Sequence, residues 1–159
     1  MPDTSAPAEI KPVLANPALL QSKCFVDGAW VDAASGETKA VTNPSDGSIV
    51  GHVPMMSPRE TERAIDAAAR AWPAWKALTA KARSAVLRRW FDLIVANADD
   101  LARLMTLEQG KPVAEAKGEV MYAASFVEWF SEEAKRIYGD VMSHPNPANR
   151  IVVLSLIHI

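Results

Sequence analysis

The sequence predicts an α/β chain that begins with two small β-hairpins, continues as a bundle of about four helices and ends in a strand. Asp-Gly dipeptides stand between short apolar runs near residues 27 and 46, a pattern typical of hairpin turns. Apolar residues then recur every three or four positions through much of 58–137, as they do in amphipathic helices. A β-branched run at 150–154 predicts the final strand.

The first 22 residues are expected to form a flexible N-terminal arm. The segment is rich in alanine and carries four prolines, a composition that does not support regular secondary structure. Three leucines near its end could anchor it to the rest of the chain: Leu14, Leu19 and Leu20.

The two hairpins are predicted from their turns. Asp27-Gly28 lies between two apolar runs that span residues 25–31, which favours a two-residue type I′ turn. The second turn covers residues 43–47, where Pro44 fixes φ and Asp46-Gly47 tolerates positive φ. Residues 23–54 should therefore form a small antiparallel β layer that needs a helical surface to lie on.

Local start and stop signals divide the following residues into helices. Ser57 and Glu60 form a capping-box pattern that begins a helix over about 58–71, with Pro73 as its end. A second helix starts near Thr79 and ends near Asn97, which also caps a third helix that runs to Gly110. The second helix is expected to turn a set of mostly large apolar residues inward: Ala82, Val86, Trp90, Leu93 and Ile94.

The longest helix is predicted from Pro112 to Gly139. Its apolar residues recur at intervals of three and four, and roughly 26 residues would give a rod of about 39 Å on which the other elements pack. The inward stripe is expected to contain Val113, Ala116, Val120, Ala123, Val127, Phe130, Ala134 and Ile137.

Composition excludes several classes of function. The net charge of −2 and pI of about 5.9 do not favour nucleic acid or an anionic membrane as a partner, and no apolar run approaches the ~20 residues of a membrane helix. A single cysteine, Cys24, cannot form an internal disulfide and suits a reducing, cytoplasmic compartment. Three scattered histidines lack the spacing of a metal site or a catalytic triad: His52, His144 and His158.

Residues 106–140 carry a family resemblance. The segments EQGKPVAEAKGEV and YAASFVEWFSEEAKRIYGD resemble the N-terminal region of the aldehyde dehydrogenase superfamily, most closely its succinate-semialdehyde dehydrogenase branch. The likeness extends from about Phe25 to Leu154 and implies an aldehyde dehydrogenase-like α/β fold. It implies that 23–140 belong to the cofactor-binding domain, that 141–154 form a linker and the start of an oligomerisation strand, and that 155–159 are an atypical tail.

The same resemblance implies a function for a longer parent protein. Such a parent would oxidise succinate semialdehyde to succinate with NAD or NADP, as a homo-oligomer. The matching segment holds none of the family's catalytic or cofactor-binding residues, so this chain is expected to be an N-terminal fragment that is inactive by itself. Two alternatives remain open from the sequence: a non-enzymatic helical interaction module, and a fragment of another aldehyde dehydrogenase subfamily.

The resemblance also points to two candidate sites. One is a substrate tunnel bordered by Tyr122, Phe126 and Trp129 on the long helix, although such an aromatic stripe is also typical of ordinary core packing. The other is a monovalent cation held by the backbone carbonyl of Thr42 and the carboxylate of Glu108. The simpler interpretation of that second pair is a turn residue and a helix-terminal acid.

Overall fold

The computed structural model describes residues 7–137 and 139–153, which contain three antiparallel hairpins and four helices. Their order confirms the predicted arrangement of two hairpins followed by four helices, and adds a third hairpin at the end. No helix in these ranges is long and apolar enough to cross a membrane. The elements are β1 (Cys24–Val26), β2 (Ala29–Val31), β3 (Thr38–Thr42), β4 (Ile49–Pro54), α1 (Pro58–Ala77), α2 (Ala80–Ala96), α3 (Ala98–Gln109), α4 (Val113–Glu133), β5 (Asp140–Ser143) and β6 (Arg150–Val153).

The first hairpin has the predicted type I′ turn. Asp27 and Gly28 have φ values of 52° and 79°, so both central residues lie in the left-handed region that this turn requires. The strands place Phe25 opposite Trp30, and the two rings meet edge to face with centroids 5.1 Å apart. Such a cross-strand aromatic pair stabilises the hairpin beyond its backbone hydrogen bonds.

Side-chain caps begin α1 and α2 at the predicted residues. The Ser57 hydroxyl accepts a hydrogen bond from the Glu60 amide at 3.4 Å, and the Glu60 carboxylate accepts one from the Ser57 amide at 2.9 Å. The Thr79 hydroxyl oxygen accepts from the Ala82 amide at 3.2 Å. Each cap gives a partner to an amide that the first turn of a helix leaves free.

Helix α1 is longer than predicted, because Pro73 lies inside it and does not end it. Proline removes one backbone donor from a helix, but here the helix continues to Ala77. Its last carbonyls find partners outside the helix. The Arg83 guanidinium donates to the carbonyl of Leu78 at 2.7 Å and to that of Lys76 at 3.2 Å. Arg83 thus links the start of α2 to the end of α1.

Helix α4 is shorter than predicted. It covers 21 residues and ends at Glu133, which makes it about 31 Å long where a 39 Å rod was expected. The amides of Lys135 and Arg136 donate to the carbonyls of Glu132 and Glu133, so the chain leaves the helix through tight turns. Gly139, predicted as the stop, has φ 74° and directly precedes β5.

The core is built on small residues. Helix α4 packs against both α2 and α3, and its buried positions include Ala116, Val120, Ala124 and Ser131. The opposing face of α3 buries Ala98 and Ala102. The predicted inward stripe is therefore wrong at four of its eight positions, which are exposed: Val113, Ala123, Phe130 and Ile137. Small side chains let the helix backbones approach closely, and the larger apolar residues are displaced to the flanks.

On α2, too, large apolar residues lie outside the buried face. Val86, Trp90 and Leu93 were expected to face inward, but about half of each remains exposed (51%, 55% and 52%). The buried side of the helix is centred on Ser84, with Leu87 half-buried one turn later. The apolar pattern of α2 therefore predicted the helix correctly, but the face predicted to pack against the core was wrong.

Residues 7–22 of the expected N-terminal arm lie against the folded chain. The amide of Ile10 donates to the carbonyl of Ile49 at 2.9 Å, and the amide of Ile49 donates to the carbonyl of Ala8 at 2.9 Å. These bonds form a parallel bridge to β4. A 3-10 turn, Pro17–Leu19, follows, and Leu14, Leu19 and Leu20 are half-buried as anchors.

The predicted final strand does not stand alone. β6 pairs with β5, which occupies residues assigned from sequence to the domain end and linker, and Val141 lies opposite Val152. All eight strand residues are exposed. Residues 154–159, including the predicted atypical tail 155–159, lie outside the described ranges.

Candidate functional site

An aromatic groove runs along the outer side of α4. Its volume is about 680 Å³, and its apolar surface comes from Phe126, Trp129 and Phe130. Its other lining residues are polar or charged and come from α2, from α4 and from the turn after α4: Arg88, Ser125, Glu128, Glu132 and Arg136.

The groove exists because α4 packs through its small residues. At 100° per residue, Phe126 lies about 120° from the centre of the buried stripe that runs from Ala116 to Ser131. Phe126 is 49% exposed and Trp129 is 65% exposed. Both rings therefore present surface to the groove.

The structure brings together two of the three predicted tunnel residues. Phe126 and Trp129 both line the aromatic groove. Tyr122 lies outside the lining, but its ring meets Phe126 edge to face with centroids 4.9 Å apart at 81°. Phe130 and Arg88 were not predicted as site residues. Phe130 is four residues from Phe126 and so shares its face, which is the sequence signal that could have identified it.

Ion pairs set the electrostatics of the groove. The Arg88 guanidinium lies 2.9 Å from Glu128 on α4 and 3.3 Å from Asp92, and stacks 4.7 Å from the ring centre of Phe91. On the other wall, Arg136 pairs with Glu133 at 2.5 Å. Arg88 therefore links α2 to the groove side of α4 through a charged contact.

Glu132 completes the charged rim. The Lys135 ammonium, which donates to this carboxylate at 3.0 Å, is the main reason that the pKa of Glu132 lies below its usual value. With two guanidinium groups beside two carboxylates and three aromatic rings, the groove suits a short organic molecule with an apolar middle and a charged end.

The predicted cation residues lie at the junction of α3 and β3. Thr42 is exposed at a β-bulge that ends β3, and Glu108 is exposed in the last turn of α3. Glu108 lines a different cavity, of about 630 Å³, whereas Thr42 does not. One carboxylate and one carbonyl are few ligands for a hard cation, which takes six or more oxygens in the case of Ca²⁺. The cation site stays a prediction.

The turn before α4 is not a phosphate cradle. Gly110 has φ 77°, and a Cβ atom there would lie 2.9 Å from Cγ of Pro44, so a neighbouring ring already occupies this glycine's open side. Lys111 is engaged with Glu119. Within residues 7–137 and 139–153, no three His, Cys, Asp or Glu side chains cluster as metal ligands. Cys24 lies in β1 opposite Val31.

Comparisons with known proteins give this geometry a context. The family model described as "Aldehyde dehydrogenase family" matches residues 30–155. A glutarate-semialdehyde dehydrogenase of Pseudomonas aeruginosa is 62% identical over 136 residues, and the NADP(+) succinate-semialdehyde dehydrogenase of Escherichia coli is 57% identical over 136 residues. Each comparison covers 86% of this chain and 28% of the relative.

A solved structure agrees with these sequence matches. The crystal structure of an aldehyde dehydrogenase from Brucella melitensis superposes with a TM-score of 0.81 at 59% identity, covering 86% of this chain and 28% of that one. The match confirms the predicted fold class and the predicted resemblance to the N-terminal region of semialdehyde dehydrogenases. This chain, which spans about 28% of the length of these relatives, belongs to the aldehyde dehydrogenase family.

Proposed function

We propose that this chain is part of an enzyme that oxidises a short aldehyde bearing a carboxylate, such as succinate or glutarate semialdehyde, with NAD or NADP. The observation that carries the proposal is the close identity to two semialdehyde dehydrogenases across residues that include all four helices. The two substrates named for those relatives share an aldehyde at one end and a carboxylate at the other. A helical interaction module without chemistry has no comparable support.

Within that enzyme, this chain would supply scaffold and one wall of the substrate path. The aromatic groove supports this role, because Phe126 and Trp129 are exposed beside two guanidinium groups. Aromatic surface can contact the methylene chain of a semialdehyde, and a guanidinium group can pair with its carboxylate. The reaction itself needs a nucleophile at the aldehyde carbon, a nicotinamide that accepts hydride and a water that releases the acid.

Neither the cysteine nor the glycines of this chain have the setting that aldehyde oxidation requires of a nucleophile or of a nucleotide site. A reactive thiol needs a cationic neighbour or a helix N-terminus, whereas Cys24 lies in a strand and does not line the aromatic groove. No glycine-rich dinucleotide fingerprint follows a strand in the sequence. We therefore propose that the chain by itself is inactive. The complete protein would act as a homo-oligomer, as the family resemblance implies.

The test is an absorbance assay of reduced nicotinamide with the complete protein. We expect kcat/KM for succinate or glutarate semialdehyde to exceed that for butanal, an uncharged aldehyde of similar length, by at least about a hundredfold. Both cofactors should be assayed, and the 159-residue chain serves as the inactive control. Equal efficiency on butanal and on the semialdehydes would overturn the assignment of an anionic substrate.

A further inference from the structure

Asp100 connects α3 to the N-terminal segment in a way that the sequence does not indicate. Its carboxylate is 5% exposed and accepts two backbone hydrogen bonds, from the Ala15 amide at 3.0 Å and the Asn16 amide at 2.8 Å. These partners lie 85 and 84 positions away in the sequence. Arg103 approaches the same carboxylate at 3.4 Å. A buried carboxylate with two backbone donors forms strong, charge-assisted hydrogen bonds.

A second attachment holds the same segment at the parallel bridge between Glu9 and Ile49, the first residue of β4. The bridge consists of two backbone bonds of 2.9 Å. Between the bridge and Asp100 the chain has no other long-range hydrogen bond among the described residues. Residues 8–20, here called the strap, are thus fixed at two points with a short span between them.

The strap covers a cavity. The space has a volume of about 630 Å³ and lies between the strap and the β3–β4 hairpin. Ile10, Pro12 and Leu14 line it from the strap side, and Val41 and Val50 line it from the hairpin side. The strap therefore shields apolar hairpin surface from water, although its proline content predicts a loose chain.

We propose that Asp100 is a latch that keeps the strap closed over this cavity. Opening requires the loss of the two hydrogen bonds to Asp100 and of the apolar contacts of the half-buried leucines Leu14, Leu19 and Leu20. The segment can then swing about the bridge at Ile49 and expose Val41 and Val50. The pKa of Asp100 is lowered chiefly by the Asn16 and Ala15 amides, which agrees with a carboxylate held ionised by these two donors.

The latch is tested by amide hydrogen exchange, resolved by residue, in the 159-residue chain. Asp100→Asn replaces one carboxylate oxygen by a donor, so at least one of the two amides loses its acceptor. We expect exchange at Ala15 and Asn16 to accelerate at least about tenfold, and binding of anilinonaphthalene sulfonate to rise. Asp99→Asn is the matched control, because Asp99 is exposed and pairs with Lys117 outside the strap.

Exchange at Ala124, buried in α4, separates latch opening from loss of the whole fold. If Asp100→Asn accelerates Ala124 as well, the measurement is repeated in concentrated sucrose, which favours the compact state. The proposal stands if Ala15 and Asn16 then exchange faster while Ala124 stays protected. It is overturned if the strap amides are unchanged in Asp100→Asn, if Asp99→Asn accelerates them equally, or if they never separate from Ala124.

Discussion

The side chain of Glu60 connects the start of α1 to the loop after β2. Its carboxylate accepts hydrogen bonds from the Ser57 amide and hydroxyl at the start of α1 and from the Ala34 amide at 2.8 Å, in the loop after β2. These donors, with the Ser57 amide as the largest contribution, lower the pKa of Glu60 to about 2. Glu60 is thus both a helix cap and a tether for the first hairpin.

Replacing Glu60 should destabilise the chain. Glu60→Gln keeps the shape of the side chain but replaces one carboxylate oxygen by an NH2 group, so at least one of its three donors (the Ser57 amide, the Ser57 hydroxyl and the Ala34 amide) loses its acceptor. We expect the Tm to fall by roughly 4–8 °C. Glu62→Gln, on the exposed side of the same helix, should change the Tm by less than about 2 °C. Thermal melts followed by circular dichroism give both values. Equal Tm values for the two variants would contradict the role assigned to Glu60.

The same substitution predicts a dependence on pH. The folded-state pKa of Glu60 is depressed, so its contribution to stability is fully present above the unfolded value near 4.5 and disappears as the pH falls towards 2. The Tm difference between the wild-type chain and Glu60→Gln should therefore be constant near pH 7 and shrink between about pH 4.5 and 2. A difference that persists unchanged at pH 2 would show that the ionised carboxylate is not responsible.

Phe126 is the residue by which the substrate path can be tested. In the complete protein, Phe126→Ala should change the ratio of kcat/KM for succinate semialdehyde against a longer or uncharged aldehyde by roughly tenfold, because apolar contacts discriminate substrates by about 1–3 kcal/mol per methylene. Ile65→Ala is a suitable control, since Ile65 is 62% exposed on α1 and lines none of the described grooves. A uniform loss of rate on all aldehydes would assign Phe126 to packing.

At the scale of elements, the sequence predicted where helices begin better than which faces they bury. The Ser57 and Thr79 side chains accept hydrogen bonds from amides only three residues later, so these caps can be identified without knowledge of the fold. Burial depends on distant neighbours. Phe130 and Trp90 are apolar and at helical spacing, but the close approach of α2 and α3 to α4 selects small residues such as Ala124 for the interface.

The candidate site was predictable to a similar degree. The resemblance directed attention to Phe126 and Trp129, and both line the aromatic groove. The ion pair from Arg88 to Glu128 joins residues 40 positions apart, and no local pattern indicates which arginine of α2 reaches α4. The hydrogen bonds from the strap to Asp100 were not predicted, because they also join residues far apart in the sequence. In addition, an acid in the first turn of a helix is already explained by its favourable interaction with the helix dipole.

The β5–β6 hairpin should promote association of this chain. Val141 and Val152 form an exposed cross-strand pair, and Met142 pairs with Ile151. β5 and β6 pair with each other, but the apolar faces of both strands remain open to another chain. Val152→Lys should lower light scattering and raise the soluble fraction. Ser143→Lys adds the same charge without removing apolar surface, and an equal gain there would indicate a general effect of charge.

At the scale of the whole molecule, the turn between α3 and α4 does not have the open form that a dinucleotide site requires. The loop at Gly110 is closed by Pro44, and α4 begins at Pro112 without a side-chain cap. A dinucleotide pyrophosphate needs open backbone amides at a helix N-terminus after a glycine-rich turn. The helices of this chain are instead connected to one another and to the hairpins by caps and ion pairs.

We therefore expect the 159-residue chain to bind neither NAD nor NADP. Calorimetric titration of the chain with each cofactor should give no saturable heat at micromolar concentrations. The Gly110 turn offers no open cradle for two phosphates, and a net charge of −2 does not attract an anion. The complete protein, titrated under the same buffer and salt conditions, is the positive control and should bind at least one of the two. Circular dichroism must show that the isolated chain is helical during the titration, since an unfolded chain would also fail to bind. Saturable binding of either cofactor to the folded chain would place part of the nucleotide site within these residues and would require a surface other than the Gly110 turn to hold it.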